Sequence, residues 1–174
     1  MAQTFKILAS GTTGRRKTTL GLTFPKVYRL GTEPNGIDAL ICRPDLRPNL
    51  VKNEEFIPTV TEDLRMLFKR LETSAKEAHA MAGQGQVETL FLDNLTFLSM
   101  NRWLYITKHE AITGRGGEPD TRGMYGALGM WLYHFILLSI VSFPGHVVIT
   151  AHEHEQSEEQ QAKNSLYATT PHYG

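Results

Sequence analysis

The stretch ILASGTTGRRKTTLGL, residues 7–22, carries Gly11, Lys17 and Thr18 at the spacing G-x-x-x-x-G-K-[ST], with Arg16 in the place of the second glycine. That spacing holds phosphates when a short strand precedes it and a helix follows, because successive backbone N–H groups then converge on one anion. Spacing alone is weak, since ordinary composition produces it in roughly a tenth of chains this long. Here the context agrees: an apolar run ends at Gly11, and a helical pattern starts at Thr18. Gly11, Thr12, Thr13, Gly14, Arg15, Arg16, Lys17, Thr18 and Thr19 are therefore the expected nucleotide-binding residues. Lys17 would neutralise the β- and γ-phosphates of ATP, and the Thr18 hydroxyl would complete the coordination of Mg2+.

A second motif fits the first. VETLFLDN, residues 87–94, puts Asp93 at the C-terminal end of an apolar strand, where the Mg2+-orienting carboxylate of such a site belongs. An aspartate there also suits the N-cap of the next helix, and that alternative stays open from the pattern alone.

These residues need a scaffold that brings strand ends together. TFKILAS (4–10) reads as a strand, and a helix from Thr18 to Thr23 stops before Pro25. KVYRLGTE (26–33) reads as a second strand, and PNGIDAL as a turn. The three prolines in ICRPDLRPNLVKNEEFIPT predict an irregular stretch with room for a short edge strand. Leu64, Leu67, Phe68 and Leu71 recur at helical spacing, with Thr61 as the expected N-cap and Gly83 as the stop. VETLFLD (87–93) is the clearest strand, followed by a helix to about Lys108, the glycine-rich TGRGGEPDTRG, an apolar helix and the strand HVVITAH. Strands alternating with helices imply an α/β domain with a mainly parallel sheet flanked by helices. At 174 residues, the chain is most simply one domain, 1–174.

Composition narrows the partners. With 18 Lys+Arg against 18 Asp+Glu, no global field draws the protein to nucleic acid or a membrane surface, so any such contact must be local. The one cysteine, Cys42, excludes an intrachain disulfide, and the start MAQTFKILASG has no signal-peptide pattern, so a cytoplasmic location is expected. Residues 124–143 run for the length of a membrane span without a formal charge. They also contain His134, two glycines and two serines, and they feed directly into PGHVVITAH. A helix packed on the sheet is expected, with no membrane partner.

The order KILASGTTGRRKTTL, VYRLGTEPNG, VETLFLDNLTFL and HVVITAHE resembles the RecA-like P-loop ATPase domain of phage nucleotide-binding proteins, a group that includes single-strand annealing and recombination ATPases. The resemblance covers almost the whole chain. It implies that the glutamate after the second strand, Glu33, activates the attacking water, and that the polar residue ending the last strand, His152, senses the γ-phosphate. Chemistry is compatible with both roles, because a carboxylate beyond a strand's C-terminal end faces the switch-point crevice and a histidine there can hydrogen-bond phosphate. The plainer readings are a solvated turn glutamate in TEPNG and one exposed histidine of AHEHE.

The resemblance also implies homo-oligomers, as a ring or a filament, and single-stranded DNA held by two loops, here about 109–123 and 153–173. The first offers Lys108, Arg115 and Arg122 among glycines, and the second ends with Tyr167, His172 and Tyr173 for base stacking. The bland alternative for both is an ordinary surface loop. The family usually continues into further strands beyond PHYG, so this is either a natural short form or a truncated gene, and the sheet edge and any arginine finger are in question. Arg16 is the chief departure: glycine there permits backbone angles that a side chain hinders, and reshaping of the loop is expected to affect hydrolysis more than binding. The function implied is Mg2+-dependent ATP binding and hydrolysis in phage DNA recombination, annealing or replication within the bacterial host cytoplasm. The alternatives are a small-molecule phosphotransferase and a nucleotide-gated DNA-binding assembly module with weak hydrolysis.

Overall fold

The computed structural model describes residues 3–12, 14, 16–59, 62–110 and 112–153. Five strands form one parallel sheet: β1 (Lys6–Gly11), β2 (Val27–Gly31), β3 (Leu50–Glu55), β4 (Thr89–Asp93) and β5 (His146–His152), in the order β1-β5-β4-β2-β3. The helices are α1 (Lys17–Leu22), α2 (Ala39–Cys42), α3 (Leu64–Gly83), α4 (Leu95–His109) and α5 (Thr121–His134), the last continuing as a π-helical turn over Phe135–Val141. Helices pack on both faces of the sheet, which makes it the α/β architecture with a parallel sheet that the alternation of strands and helices implies.

Strand position follows from side-chain pattern. The VYRLG of β2 and the TLFLD of β4 are buried at every residue, as parallel strands covered on both faces must be. By contrast, β1 and β3 alternate in exposure and lie at the two edges. The edge strand expected in the proline-rich stretch is therefore β3, reached through a 3-10 turn at Pro44–Asn49. On β3, Lys52 grips Glu77 of α3 at 2.7 and 2.8 Å, and Tyr28 of β2 donates to the same carboxylate at 3.0 Å. The pairing raises the Lys52 ammonium above its ordinary value and lowers the Glu77 carboxyl.

One face of the sheet packs Tyr28, Leu30, Leu90, Leu92, Val147 and Ile149 against Leu67 and Leu71 of α3, Leu98 of α4, and Phe135 and Ile140. The other packs Val27, Phe91 and Val148 against Leu22 of α1, Leu40 of α2 and Leu46. α1 lies close to the sheet because Gly21 has no side chain: a Cβ there would stand 2.4 Å from the Phe91 ring. That contact holds the start of the helix, and with it Lys17 and Thr18, over the strand ends.

Three expectations change in detail. Asp63, and not Thr61, caps α3, accepting from the Arg65 backbone N–H at 2.9 Å; the helix starts at Leu64, one residue beyond it, and Thr61 lies outside the described residues. PNGIDAL is more than a turn, since Gly36–Asp38 forms a 3-10 turn that leads into α2 and buries Leu40. The apolar helix packs on the core through a narrow stripe, with Met124, Phe135 and Ile140 buried and Trp131 partly buried. Thr121–Val141 is long and apolar enough to cross a membrane by length and composition, and 17% of its most apolar window is buried. Tyr125, Met130, Tyr133, Leu137 and Leu138 face outward.

Candidate functional site

Parallel pairing brings the C-terminal strand ends to one side of the sheet, with Gly11 opposite His152 and Gly31 opposite Asp93. Ligands of open α/β sheets bind outside these ends. Here they carry the loop of residues 11–16, Glu33, Asp93 and His152.

Within the loop, Gly14 has φ 81°, and Arg16 has φ 57° and ψ 28°. Arg16 thus takes the left-handed backbone that glycine adopts without cost, at about 1–2 kcal/mol for a residue with a Cβ. The chain holds this backbone at Arg16 in spite of the side chain. Arg16 is exposed, and its carbonyl accepts from the Leu20 N–H at 3.0 Å to start α1. Thr13 and Arg15 lie outside the described residues.

Lys17 directs its ammonium into the loop, donating to the carbonyls of Gly11 (2.7 Å) and Thr12 (2.9 Å), with His152 Nδ1 at 3.3 Å. Thr18 donates its hydroxyl to the Asp93 carboxylate, 3.0 Å from Oδ2 and 3.2 Å from Oδ1. Asp93 is 1% exposed and also accepts from Thr150 Oγ1 at 2.7 Å. The capping alternative for Asp93 is excluded, because Asn94 caps α4 by accepting from the Phe97 N–H at 3.0 Å.

Glu33 is built into the site. Asn94 Nδ2 donates to its Oε2 at 2.6 Å, and its Oε1 lies 3.2 Å from His152 Nε2. Lys17 can only donate, so Nδ1 of His152 accepts, the ring proton sits on Nε2, and Nε2 donates to Glu33. His152 is held in turn by Thr96, whose hydroxyl accepts from its backbone N–H at 2.9 Å, and by the edge of the Phe97 ring. Neither plain reading survives: Glu33 is not a solvated turn residue, nor is His152 a freely exposed one.

A cavity of about 550 Å³ opens over these groups, walled by Gly14, Arg16, Lys17, Thr18, Thr19, Glu33 and His152 and continuing along residues 34–43. Asp93 lies beneath it, reached through Thr18. Among the described residues no group of three His, Cys, Asp or Glu could hold a metal by itself. Mg2+ commonly keeps waters and takes few protein ligands beside substrate phosphates, so a hydroxyl and a carboxylate 3.0 Å apart next to a phosphate loop fit it.

Several residues of the site went unread in the sequence: Arg29, Asn94, Thr96, Thr150, and Thr32, whose hydroxyl accepts from the Asn94 N–H at 2.9 Å. Arg29 had left a signal, an arginine inside an otherwise apolar strand that the sheet buries completely. The DNA-loop candidates Lys108, Arg115 and Arg122 are all exposed. Their segment includes a short turn closed by a bridge between Thr113 and Pro119, and Asp120 caps α5 through the Gly123 N–H at 3.0 Å. Tyr167, His172 and Tyr173 lie outside the described residues.

Residues 3–172 match the sequence family described as an AAA domain. No curated protein matches the chain. Among solved structures, a prototypical ATPase from the type III secretion system of pathogenic bacteria superposes with TM-score 0.53 at 15% identity, over 95% of this chain and 49% of its own. The assembled ATPase EscN, in complex with its central stalk EscO from enteropathogenic E. coli, gives TM-score 0.53 at 13% identity, over 97% of this chain and 40% of its own. The chain thus spans half or less of these neighbours' lengths, and the likeness concerns the fold.

Proposed function

This chain belongs to the AAA domain family, a P-loop ATPase type, and on that premise we propose that it binds ATP with Mg2+ and hydrolyses it. The observation that carries the reading is the convergence of Lys17, Thr18 over Asp93, and the Asn94–Glu33–His152 chain on one cavity. Thr18 and Asp93 would hold Mg2+, which supplies positive charge to the phosphates. Lys17 binds the β- and γ-phosphates. Glu33 accepts the proton of the attacking water, and Asn94 and His152 fix its carboxylate for that task. His152 would reach the γ-phosphate by turning its Nε2–H from Glu33 to a phosphate oxygen, and that exchange is how it would sense the phosphate.

The biological setting proposed is phage DNA recombination, annealing or replication, in an oligomer on single-stranded DNA in the host cytoplasm. The support is the sequence resemblance together with the exposed Lys108, Arg115 and Arg122. Comparing ATP binding with turnover, with and without single-stranded DNA, tests it: DNA-stimulated turnover is expected. Binding with negligible turnover would favour the assembly module. DNA-indifferent turnover that rises with a small acceptor would favour the phosphotransferase, for which the cavity beyond Glu33 leaves room.

Two further outcomes follow. DNA affinity must come from local cations, so changing both Arg115 and Arg122 to alanine should weaken single-strand binding and flatten the log–log salt slope by about 1.4, roughly 0.7 for each lost phosphate contact. Titrations at several salt concentrations measure it, and an unchanged slope would remove these residues from the interface. The outward Tyr125, Met130 and Tyr133 are residue types enriched in protein interfaces, and α5 is anchored by Met124 and Phe135. The protein should therefore stay in the supernatant without detergent, as an oligomer. Sedimentation with membranes would restore the spanning-helix reading.

A further inference from the structure

Arg29 lies on β2, is fully buried, and sends two hydrogen bonds to one oxygen of Asp93: Nε at 3.0 Å and Nη2 at 2.9 Å, both to Oδ2. Its third nitrogen, Nη1, donates to Asn53 Oδ1 at 2.8 Å and lies 3.7 Å from Glu55 Oε1, both on edge strand β3. Two glycines make the space. A Cβ on Gly31 would stand 2.3 Å from Nη1, and one on Gly36 would stand 2.2 Å from Nη2 and 3.1 Å from Asp93 Oδ2. Gly36 lines the cavity, so the guanidinium lies directly under its wall.

A buried carboxylate is costly unless paired, and the guanidinium supplies that pairing with two charge-assisted hydrogen bonds to Oδ2. Thr150 donates to Oδ1 at 2.7 Å, so each oxygen of Asp93 has its own buried partner. Thr18, which lines the cavity, donates to the same carboxylate. We infer that Arg29 is a positioning residue for metal binding: anchored on β3 by Asn53, it holds Asp93 in the one orientation that serves Mg2+ beside Thr18. The inference rests on the nucleotide–Mg2+ reading above. Lysine would replace arginine only in part, because a planar fork reaches Asp93 and Asn53 together and a single ammonium does not.

The test reads nucleotide binding and not turnover. The affinity of a fluorescent ATP analogue is measured with Mg2+ and with EDTA, for the wild type, Arg29→Lys, Asn53→Ala and Arg29→Met. In the wild type Mg2+ tightens binding. The ratio of the two affinities should fall about tenfold in Arg29→Met and about threefold in Arg29→Lys and Asn53→Ala, with the EDTA affinity unchanged. Asn53→Ala leaves the Arg29–Asp93 pair in place, so the test stands even if Arg29→Met does not fold. A wild-type ratio in both Arg29→Lys and Asn53→Ala, or equal losses with Mg2+ and with EDTA, would overturn the inference alone. A wild type indifferent to Mg2+ would overturn the metal reading and the inference with it.

Discussion

Replacing Lys17 with alanine is expected to weaken ATP binding by about 10²-fold or more while the domain stays folded. Hydrogen bonds from a charged donor contribute about 1.5–3 kcal/mol each, and Lys17 would supply two to phosphates of opposite charge, so a loss of about 3 kcal/mol or more follows. The folded state loses much less, because Lys17 is half-buried and its protein partners, Gly11 O and Thr12 O, lie on a loop beside an open cavity. Calorimetric titration together with a thermal melt separates the two effects. Unchanged nucleotide affinity in a folded variant would remove the P-loop assignment.

Glu33→Gln should separate chemistry from binding. A water-activating carboxylate acts mainly in the transition state, so turnover should fall by about 10²-fold or more while ATP affinity stays nearly intact. The surroundings sharpen the expectation. Glu33 accepts from Asn94 on one oxygen and from His152 on the other. Glutamine can accept from only one of them, and its amide then meets the other donor. The variant therefore loses both its basicity and part of its fixed orientation. Single-turnover kinetics at saturating ATP measure the step, and equal turnover in the two proteins would reduce Glu33 to a structural residue.

β2, β4 and β5 were legible because burial on both faces writes itself as apolar runs, and edge strand β1 because its apolar letters stop at a glycine. The runs ending at Gly11, Asp93 and His152 placed three strand ends, and the letters following the run of β2 placed Glu33. The phosphate loop was legible from spacing plus context, even with Arg16, whose backbone is left-handed. What lay hidden depends on non-local pairing. Arg29 is 64 residues from Asp93, and Glu33 is 61 from Asn94, so only the β2–β4 register, which sets Gly31 against Asp93, brings these side chains together. The cap at Asp63 was missed by two positions, since Thr61 is also a capping residue type and periodicity alone does not mark the first helical turn. The outward face of α5 was invisible because a uniformly apolar segment has no periodicity to show which side the core takes.

If the Lys17, Thr18, Asp93 and Glu33 cluster hydrolyses ATP with Mg2+, phosphate release by the purified protein, with Mg2+ and with EDTA, beside Glu33→Gln, reads it out. The wild type should release phosphate only with Mg2+ and faster with single-stranded DNA, and the variant about 10²-fold less. No release above background from a folded, nucleotide-binding wild type with Mg2+ and DNA present, or equal release by both proteins, would contradict it.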